Sequence, residues 1–204
     1  FKDRIVSCFD WAEYWSEYFT ELSTKRRRYI SSLEEKIIKD VDIVFVVSRT
    51  LLERAQKTNR NSYQILDGTI PEIFIGYDGK ILNEMENISH PILGYVGTVN
   101  NRVDIDFISD LSEKLPQCSI VLVGNIFYPP KRLTKISKKK NIFLLGGKKY
   151  DALPGYMMNF DICILPYIPS IVSSPPTKIY DYLATGKPVV STDIPEIGRF
   201  KDYI

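Results

Sequence analysis

Short, unbroken apolar runs alternate with longer segments of helical periodicity along most of this chain. The runs are rich in valine, isoleucine and leucine, and they are VDIVFVVS, SYQIL, PILGYVG, SIVLVG, NIFLLG, FDICILP and KPVVST. Continuous apolar strands of this kind are typical of a parallel sheet that is covered on both faces. Helical connections separate the five runs from Ile92 onward. The sequence therefore predicts an α/β protein with a doubly wound parallel sheet in its C-terminal part.

The rest of the chain predicts a second, incomplete α/β domain. A length of 204 residues is enough for one complete domain and part of another. The first 40 residues are charged and aromatic with helical periodicity, and the polar segment 77–90 has no clear period. We therefore predict a partial N-terminal domain at residues 1–76, a linker at 77–90 and a Rossmann-like domain at 91–204. Because the chain starts at Phe1 and not at a methionine, we expect the native protein to extend further.

Charge and cysteine content narrow the class of protein. The 27 lysines and arginines balance the 25 acidic residues to a net charge of +2, so we predict no nucleic-acid partner. Cys8, Cys118 and Cys163 are far apart in sequence, which predicts reduced, structural thiols in a cytoplasmic protein. No apolar stretch approaches the roughly 18 to 20 residues that a membrane helix needs. The first residues do not resemble a signal peptide.

The segment from Ser173 to Ile197 combines a loop, a helix, a tight turn and a buried strand. Ser174 is the predicted N-cap of the helix, prolines follow it in the first turn, and Gly186 marks the predicted end. A helix N-terminus presents unpaired backbone N–H groups, so a phosphate is expected close to it. The residues expected around that phosphate are Ser173, Ser174 and Thr177.

One face of this predicted helix is polar. Ile179 and Leu183 recur at helical spacing and are expected to face a core. Lys178, Asp181 and Thr185 fall on another face, where polar chemistry is expected. The alternative is an ordinary i, i+3 ion pair between Lys178 and Asp181 on a solvated surface.

Three stretches of this sequence resemble one family of enzymes. The first is PPTKIYDYLATGKPVVST, the second is ILGYVGTVNNRVDID, and the third is GGKKYDALP. Together they resemble the donor-binding domain of bacterial glycosyltransferases with the GT-B fold, particularly family 4 and its polysaccharide-building relatives. The resemblance spans roughly residues 40 to 200. It implies that the chain is the donor-binding half of such an enzyme, with a remnant of the acceptor-binding half.

The resemblance implies roles for individual residues. Arg102 matches an arginine that binds the donor diphosphate, but Phe107 stands where the family often has a lysine. Lys178 is expected to take over the role of that lysine, and Arg102 and Lys178 are the predicted catalytic residues. The alternative for Arg102 is a surface ion pair with Asp104 or Asp106. Asp181, where the family commonly has a glutamate, is expected to accept hydrogen bonds from the ribose hydroxyls.

Two glycines and a lysine complete the predicted donor site. Gly97 belongs to the glycine turn after the first strand of the C-terminal domain. Gly147 and Lys148 lie in the loop that the resemblance puts near the nucleotide base. The family commonly carries a second glutamate where this chain has Ser173.

The implied reaction is sugar transfer from a nucleoside diphosphate sugar to a polysaccharide or lipid-linked acceptor, with retention at the anomeric carbon. Such enzymes usually need no metal, and we predict neither a metal site nor a cofactor. The basic run Lys25–Arg28 is expected to be a solvated face or a contact with anionic lipid at the inner membrane surface. Because the acceptor-binding half is incomplete, we expect this chain alone to be inactive.

Two other functions stay open. One is a nucleotide-sugar epimerase of the same fold, which would need no acceptor. The other is a non-catalytic nucleotide-binding or scaffolding module. A dehydrogenase is disfavoured because the turn GYVGTVNN lacks the G-x-G-x-x-G pattern.

Overall fold

Two parallel sheets form the framework of the protein, whose computed structural model describes residues 5–19, 22–169 and 176–204. The first sheet has the order β1-β2-β3 and the second has the order β6-β5-β4-β7-β8. The strands are β1 (Cys8–Trp11), β2 (Ile43–Val46), β3 (Ser62–Gln64), β4 (Ile92–Val96), β5 (Ser119–Val123), β6 (Ile142–Gly146), β7 (Ile162–Leu165) and β8 (Val189–Ser191).

Helices connect these strands, as the alternating sequence pattern predicts. The described helices are α1 (Trp15–Tyr18), α2 (Thr24–Asp40), α3 (Arg49–Ala55), α4 (Glu72–Ile75), α5 (Ile105–Lys114), α6 (Pro130–Ser137), α7 (Leu153–Met158) and α8 (Lys178–Ala184), with 3-10 turns at Tyr150–Ala152 and Ile197–Phe200. No helix in these parts of the chain has the length and apolar character that a bilayer crossing requires.

All seven apolar runs form strands, and the predicted α/β class is confirmed. The N-terminal prediction was wrong in one respect, because residues 8–11 form β1 and not part of a helical segment. β1 pairs in parallel with β2, with Phe9 opposite Val44. Only Trp11 of the four residues is buried, so the apolar signal of this strand is weak in the sequence. Pairing with β2 decides its conformation.

The chain divides into two compact units, and the first contains β1–β3 with α1–α3. Its core includes Trp11, Ile38 and Leu51. Glu34 is buried in this unit, where its carboxylate accepts hydrogen bonds from Trp11 Nε1 at 2.9 Å and from the Trp15 backbone N–H at 2.8 Å. These bonds satisfy a buried charge that would otherwise be costly.

The second unit contains β4–β8 with α4–α8, and it starts at Gly68. The polar segment 77–90 therefore belongs to this unit, where Met85 and Ile88 are buried. The domain boundaries at 76/77 and 90/91 stay predictions of the sequence.

Strand order in the second sheet creates a crevice. From β4 the chain moves outward on one side through β5 to β6, then returns to the other side of β4 for β7 and β8. The connections that leave β4 and β7 thus run in opposite directions. In open α/β sheets, ligands bind outside the carboxyl ends of the strands at such a switch point.

Gly94 in the middle of β4 permits close packing in this sheet. A Cβ atom added at this position would lie 2.0 Å from Cδ2 of Phe160. Phe160 is fully buried and its ring has no room to move aside. Glycine is therefore required at this position because Phe160 leaves no room for a side chain, and not because of the backbone angles.

We predict that Gly94→Ala lowers the free energy of unfolding by about 3 kcal/mol, because the new methyl group overlaps a packed aromatic ring. Urea denaturation followed by circular dichroism measures this change. Gly198→Ala is the matched control, since a Cβ there meets nothing within 4 Å. Equal denaturation midpoints for the two variants would contradict the packing argument.

Candidate functional site

Glycines follow the two central strands β4 and β5 and allow their loops to touch. Gly97 has φ 143° and Gly124 has φ 152°, values that side chains rarely permit. A Cβ on Gly124 would lie 2.0 Å from the Gly97 carbonyl oxygen. The Gly97 N–H donates to Val123 O at 2.8 Å, and the Val99 N–H donates to Asn125 O at 2.8 Å. The loop after β4 is therefore held against the loop after β5 by backbone contacts.

Helix α8 brings Lys178 to this turn. The buried Tyr182 anchors the helix, because its hydroxyl accepts a hydrogen bond from the Val96 N–H at 2.7 Å. A Cβ on Gly97 would lie 2.8 Å from Lys178 Nζ, so the ammonium lies directly beside the glycine. The prediction that Gly97 and Lys178 belong to one site agrees with this arrangement.

The start of α8 differs from the sequence prediction. The helix begins at Lys178, and Thr177 precedes it without a side-chain cap hydrogen bond. Ser173 and the predicted N-cap Ser174 lie outside the described residues. Thr177 is exposed, and its phosphate contact stays a prediction. The predicted end is confirmed, since Gly186 follows α8 with φ 69°.

Lys178 does not make the simple i, i+3 ion pair that was the alternative prediction. Its Nζ donates to the Tyr167 hydroxyl at 2.5 Å. The ammonium also lies 5.1 Å from the ring centroid of Tyr95 and 5.2 Å from that of Tyr167, within range of cation–π attraction. Lys178 is therefore held by two aromatic residues.

Asp181 lies one turn further along α8, where its Oδ1 accepts a hydrogen bond from Thr69 Oγ1 at 2.5 Å. A cavity of about 20 Å³ lies beside Lys178 and Asp181, and Tyr150 and Phe74 are among its lining residues. A space of this size holds about one water molecule. A nucleotide would therefore have to bind across the exposed strand ends and not inside the cavity.

Arg102 is half-buried in the loop between β4 and α5. Its backbone is fixed by the Asn100 side chain, which accepts from the Arg102 N–H at 3.1 Å. Asp104 caps α5 by accepting from the Phe107 N–H at 2.9 Å, and Asp106 forms an ion pair with Lys135. Asp104 thus caps a helix, and Asp106 is paired with a lysine of α6.

The charge of Arg102 affects the pKa of Tyr95, one of the two tyrosines next to Lys178. Burial, followed by the neighbouring Tyr167, holds the pKa of Tyr95 well above its ordinary value. The positive charge of Arg102 opposes this rise in the pKa of Tyr95. Lys178 lies within cation–π range of Tyr95, and the charge of Arg102 also affects the pKa of this tyrosine.

Lys148 belongs to a different cluster. Its Nζ lies 2.6 Å from Glu84 Oε2 and 5.6 Å from the ring centroid of Tyr156. The hydrogen bond from Lys148 lowers the pKa of Glu84, and the same bond raises the pKa of Lys148. Gly147 packs close to Asn125, since an added Cβ would lie 2.2 Å from Asn125 Oδ1. The side chain of Lys148 is therefore engaged with the segment that was predicted to be a linker.

Sequence reasoning missed four residues of this site: Tyr95, Tyr167, Tyr182 and Thr69. Tyr95 and Tyr167 stand near the ends of apolar runs, and a tyrosine at such a place is a signal that could have been used. Thr69 has no such signal, because its contact with Asp181 joins residues 112 positions apart. Among the described residues, no group of three or more His, Cys, Asp or Glu side chains is arranged to hold a metal ion.

A curated glycosyltransferase matches almost the whole of this chain. TuaH of Bacillus subtilis (strain 168), whose name assigns it to teichuronic acid biosynthesis as a glycosyltransferase, is 28% identical over 213 residues. That match covers 98% of this chain and 53% of TuaH. This chain therefore spans about half the length of its curated relative.

Two solved structures share the fold. HepE of Anabaena, in complex with UDP and glucose, matches with a TM-score of 0.73 and 13% identity over 95% of this chain and 54% of HepE. Sucrose-phosphate synthase from Thermosynechococcus elongatus matches with a TM-score of 0.68 and 18% identity over 92% of this chain and 50% of that protein. The predicted GT-B fold is thereby confirmed.

The family itself is established by the sequence of the C-terminal part. The family described as glycosyl transferases group 1 matches residues 90–202, which is more than half of the chain. The matched region contains β4–β8 together with Gly97, Arg102, Lys178 and Asp181. The chain therefore belongs to the glycosyl transferases group 1 family, as the three sequence stretches predict.

Proposed function

We propose that the protein containing this chain is a glycosyltransferase that moves a sugar from a nucleoside diphosphate sugar to a polysaccharide or lipid-linked acceptor. The position of Lys178 carries the proposal, because its ammonium lies beside Gly97 at the carboxyl end of the central strand β4. A cation held at a topological switch point is suited to a diphosphate. The family, the name of TuaH and the UDP and glucose bound to HepE support the same class of reaction.

The proposed chemistry requires stabilisation of a leaving diphosphate. The bond between the anomeric carbon and the phosphate oxygen breaks, and negative charge develops on the diphosphate. Lys178 and Arg102 are proposed to neutralise that charge. The acceptor hydroxyl attacks from the same face of the sugar and gives its proton to the departing phosphate oxygen. This course retains the configuration at the anomeric carbon and needs no metal ion.

The nucleoside is proposed to bind between Asp181 and the loop at Gly147 and Lys148. A carboxylate has about four acceptor positions. Asp181 is therefore able to accept hydrogen bonds from the ribose hydroxyls while it keeps its hydrogen bond from Thr69. Lys148 is paired with Glu84, and we therefore propose that backbone groups of this loop contact the base.

The cellular location is part of the same proposal. We place the protein in the cytoplasm, consistent with three free cysteines at positions 8, 118 and 163. Lys25, Arg26 and Arg28 are exposed on the first turns of α2. We propose that this basic group makes peripheral contact with anionic lipid, where lipid-linked acceptors are found.

Lys178→Ala should weaken binding of the preferred nucleoside diphosphate about 10- to 100-fold, because a charge-assisted hydrogen bond to phosphate is lost. Calorimetric titration of the chain with UDP, GDP and ADP measures the effect. Lys140→Ala, an exposed lysine before the amino end of β6, serves as the control and should bind like wild type. No binding of any diphosphate by wild type would overturn the proposal.

The proposed contact between Asp181 and the ribose is tested with a nucleotide that lacks one ribose hydroxyl. Wild type should prefer a ribonucleoside diphosphate to its 2′-deoxy analogue, and Asp181→Ala should bind the two almost equally. The reason is that the carboxylate is proposed to accept a hydrogen bond from the 2′-hydroxyl, which the analogue lacks. Competition titrations with the two nucleotides measure the preference, and Thr69→Val provides a control that keeps the carboxylate. An unchanged preference in Asp181→Ala would exclude this ribose contact.

The reaction itself is tested on the longer protein. Incubation with the preferred nucleoside diphosphate sugar and candidate acceptors should yield a glycosylated acceptor and free nucleoside diphosphate. Chromatography with mass spectrometry identifies both products. A changed sugar epimer in the absence of an acceptor would favour an epimerase, while binding without any product would favour a scaffolding module.

A further inference from the structure

We propose that Tyr167 is a positioning residue that fixes the Lys178 ammonium relative to Arg102, so that both cations are placed to bind one diphosphate. The inference rests on the proposed function and deepens it. Tyr167 follows β7, and its side chain and its backbone contact the two cationic segments separately.

The side chain of Tyr167 holds Lys178. Its hydroxyl accepts a hydrogen bond from Lys178 Nζ at 2.5 Å, and its ring lies 5.2 Å from the ammonium. Tyr167 is only 5% exposed, so the hydroxyl is screened from bulk water. The hydrogen bond and the ring contact therefore restrict the Lys178 ammonium to few positions.

The hydrogen bonds of the two tyrosines have a fixed direction. Tyr95 donates its single hydroxyl hydrogen to Thr98 O at 3.0 Å. The contact of 3.2 Å between the two hydroxyls must then use the hydrogen of Tyr167. The oxygen of Tyr167 is left to accept from Lys178. The chain of bonds runs from Lys178 through both tyrosines to the backbone of the Gly97 loop, and the high pKa of Tyr95 keeps this hydroxyl protonated.

The backbone around Tyr167 holds the Arg102 segment. The Ile168 N–H donates to Arg102 O at 2.9 Å, and the Asp104 N–H donates to Pro166 O at 2.7 Å. These bonds bracket an antiparallel bridge between Val103 and Tyr167. Tyr167 is therefore the residue through which the segment of Arg102 and the side chain of Lys178 are joined.

The hydrogen bond between Tyr167 and Lys178 reduces the conformational entropy that the lysine loses when a ligand binds. A free lysine side chain has many rotamers, and ordering it on binding opposes affinity. A lysine already held by Tyr167 loses less freedom when phosphate arrives, and its remaining N–H groups are available to the ligand. The hydroxyl of Tyr167 therefore increases diphosphate affinity without contacting the diphosphate.

A double-mutant cycle tests the inference. Tyr167→Phe keeps the ring and removes the hydroxyl, and we expect it to weaken nucleoside diphosphate binding about 3- to 10-fold. In a Lys178→Met background the same change should have no further effect, because the lysine it positions is absent. Binding of the nucleoside without phosphates should be the same with and without the hydroxyl. Calorimetric titration with diphosphate and nucleoside supplies all these values.

Tyr128→Phe is the matched control. It removes another buried hydroxyl, which donates to Val103 O at 2.7 Å in the same loop. Any effect of Tyr128→Phe should be equal in the wild-type and Lys178→Met backgrounds. Thermal unfolding of every variant checks that the fold is retained.

The outcomes separate the two proposals. If wild type binds a diphosphate and Lys178→Met weakens binding, but Tyr167→Phe has no effect or an equal effect in both backgrounds, only the positioning role is overturned. If Lys178→Met binds like wild type, the proposed role of Lys178 falls as well.

A measurement without nucleotide tests the contact directly. In NMR relaxation experiments on the methylene carbon next to Nζ, assigned with Lys178→Met, Lys178 should be ordered in wild type and mobile in Tyr167→Phe. Equal order in both proteins would overturn the positioning role even if nucleotide binding were never detected.

Discussion

The parallel pairing of β4 with β5 on one side and with β7 on the other is the constraint on which the site depends. It makes β4 the central strand of the sheet. The connections that leave β4 and β7 then run in opposite directions, so that a crevice opens at the carboxyl end of β4. Gly94 lets Phe160 pack against this strand, and Gly97 lets α8 approach its end. Changes in β4 therefore affect stability and the site together.

The sequence predicted the sheets because buried parallel strands are continuous apolar runs, and all seven runs formed strands. β1 was missed since it has four residues, one of them buried, and depends on β2 for its conformation. The start of α8 was predicted near Ser174, with prolines in the first turn, whereas the described helix begins at Lys178, after Pro176. Serine and proline signals alone do not fix the first residue of a helix. Its end was predicted correctly, since the left-handed φ of Gly186 strongly favours glycine.

The positions of some candidate residues were predictable where local chain position determines their place, while their roles stay predictions. Gly97, Lys178 and Asp181 stand at a strand end or on one helix face, and the structure brings them together. Lys148 was harder to interpret, because its partner Glu84 is 64 residues away. The tyrosine pair was missed for a similar reason, as Tyr95 and Tyr167 meet only when β4 and β7 are neighbours. Contacts made through strand order are not encoded in any short segment.

The contact between Gly124 and the Gly97 carbonyl limits how this site is able to vary. The spacing of the two central loops is set by peptide groups, whose size is the same in every protein. Exchanging side chains elsewhere in these two loops therefore does not change the spacing at this backbone contact. If the site binds a sugar donor as proposed, relatives with the same two glycines would differ in donor preference through the side chains of α8 and of the loop after β6.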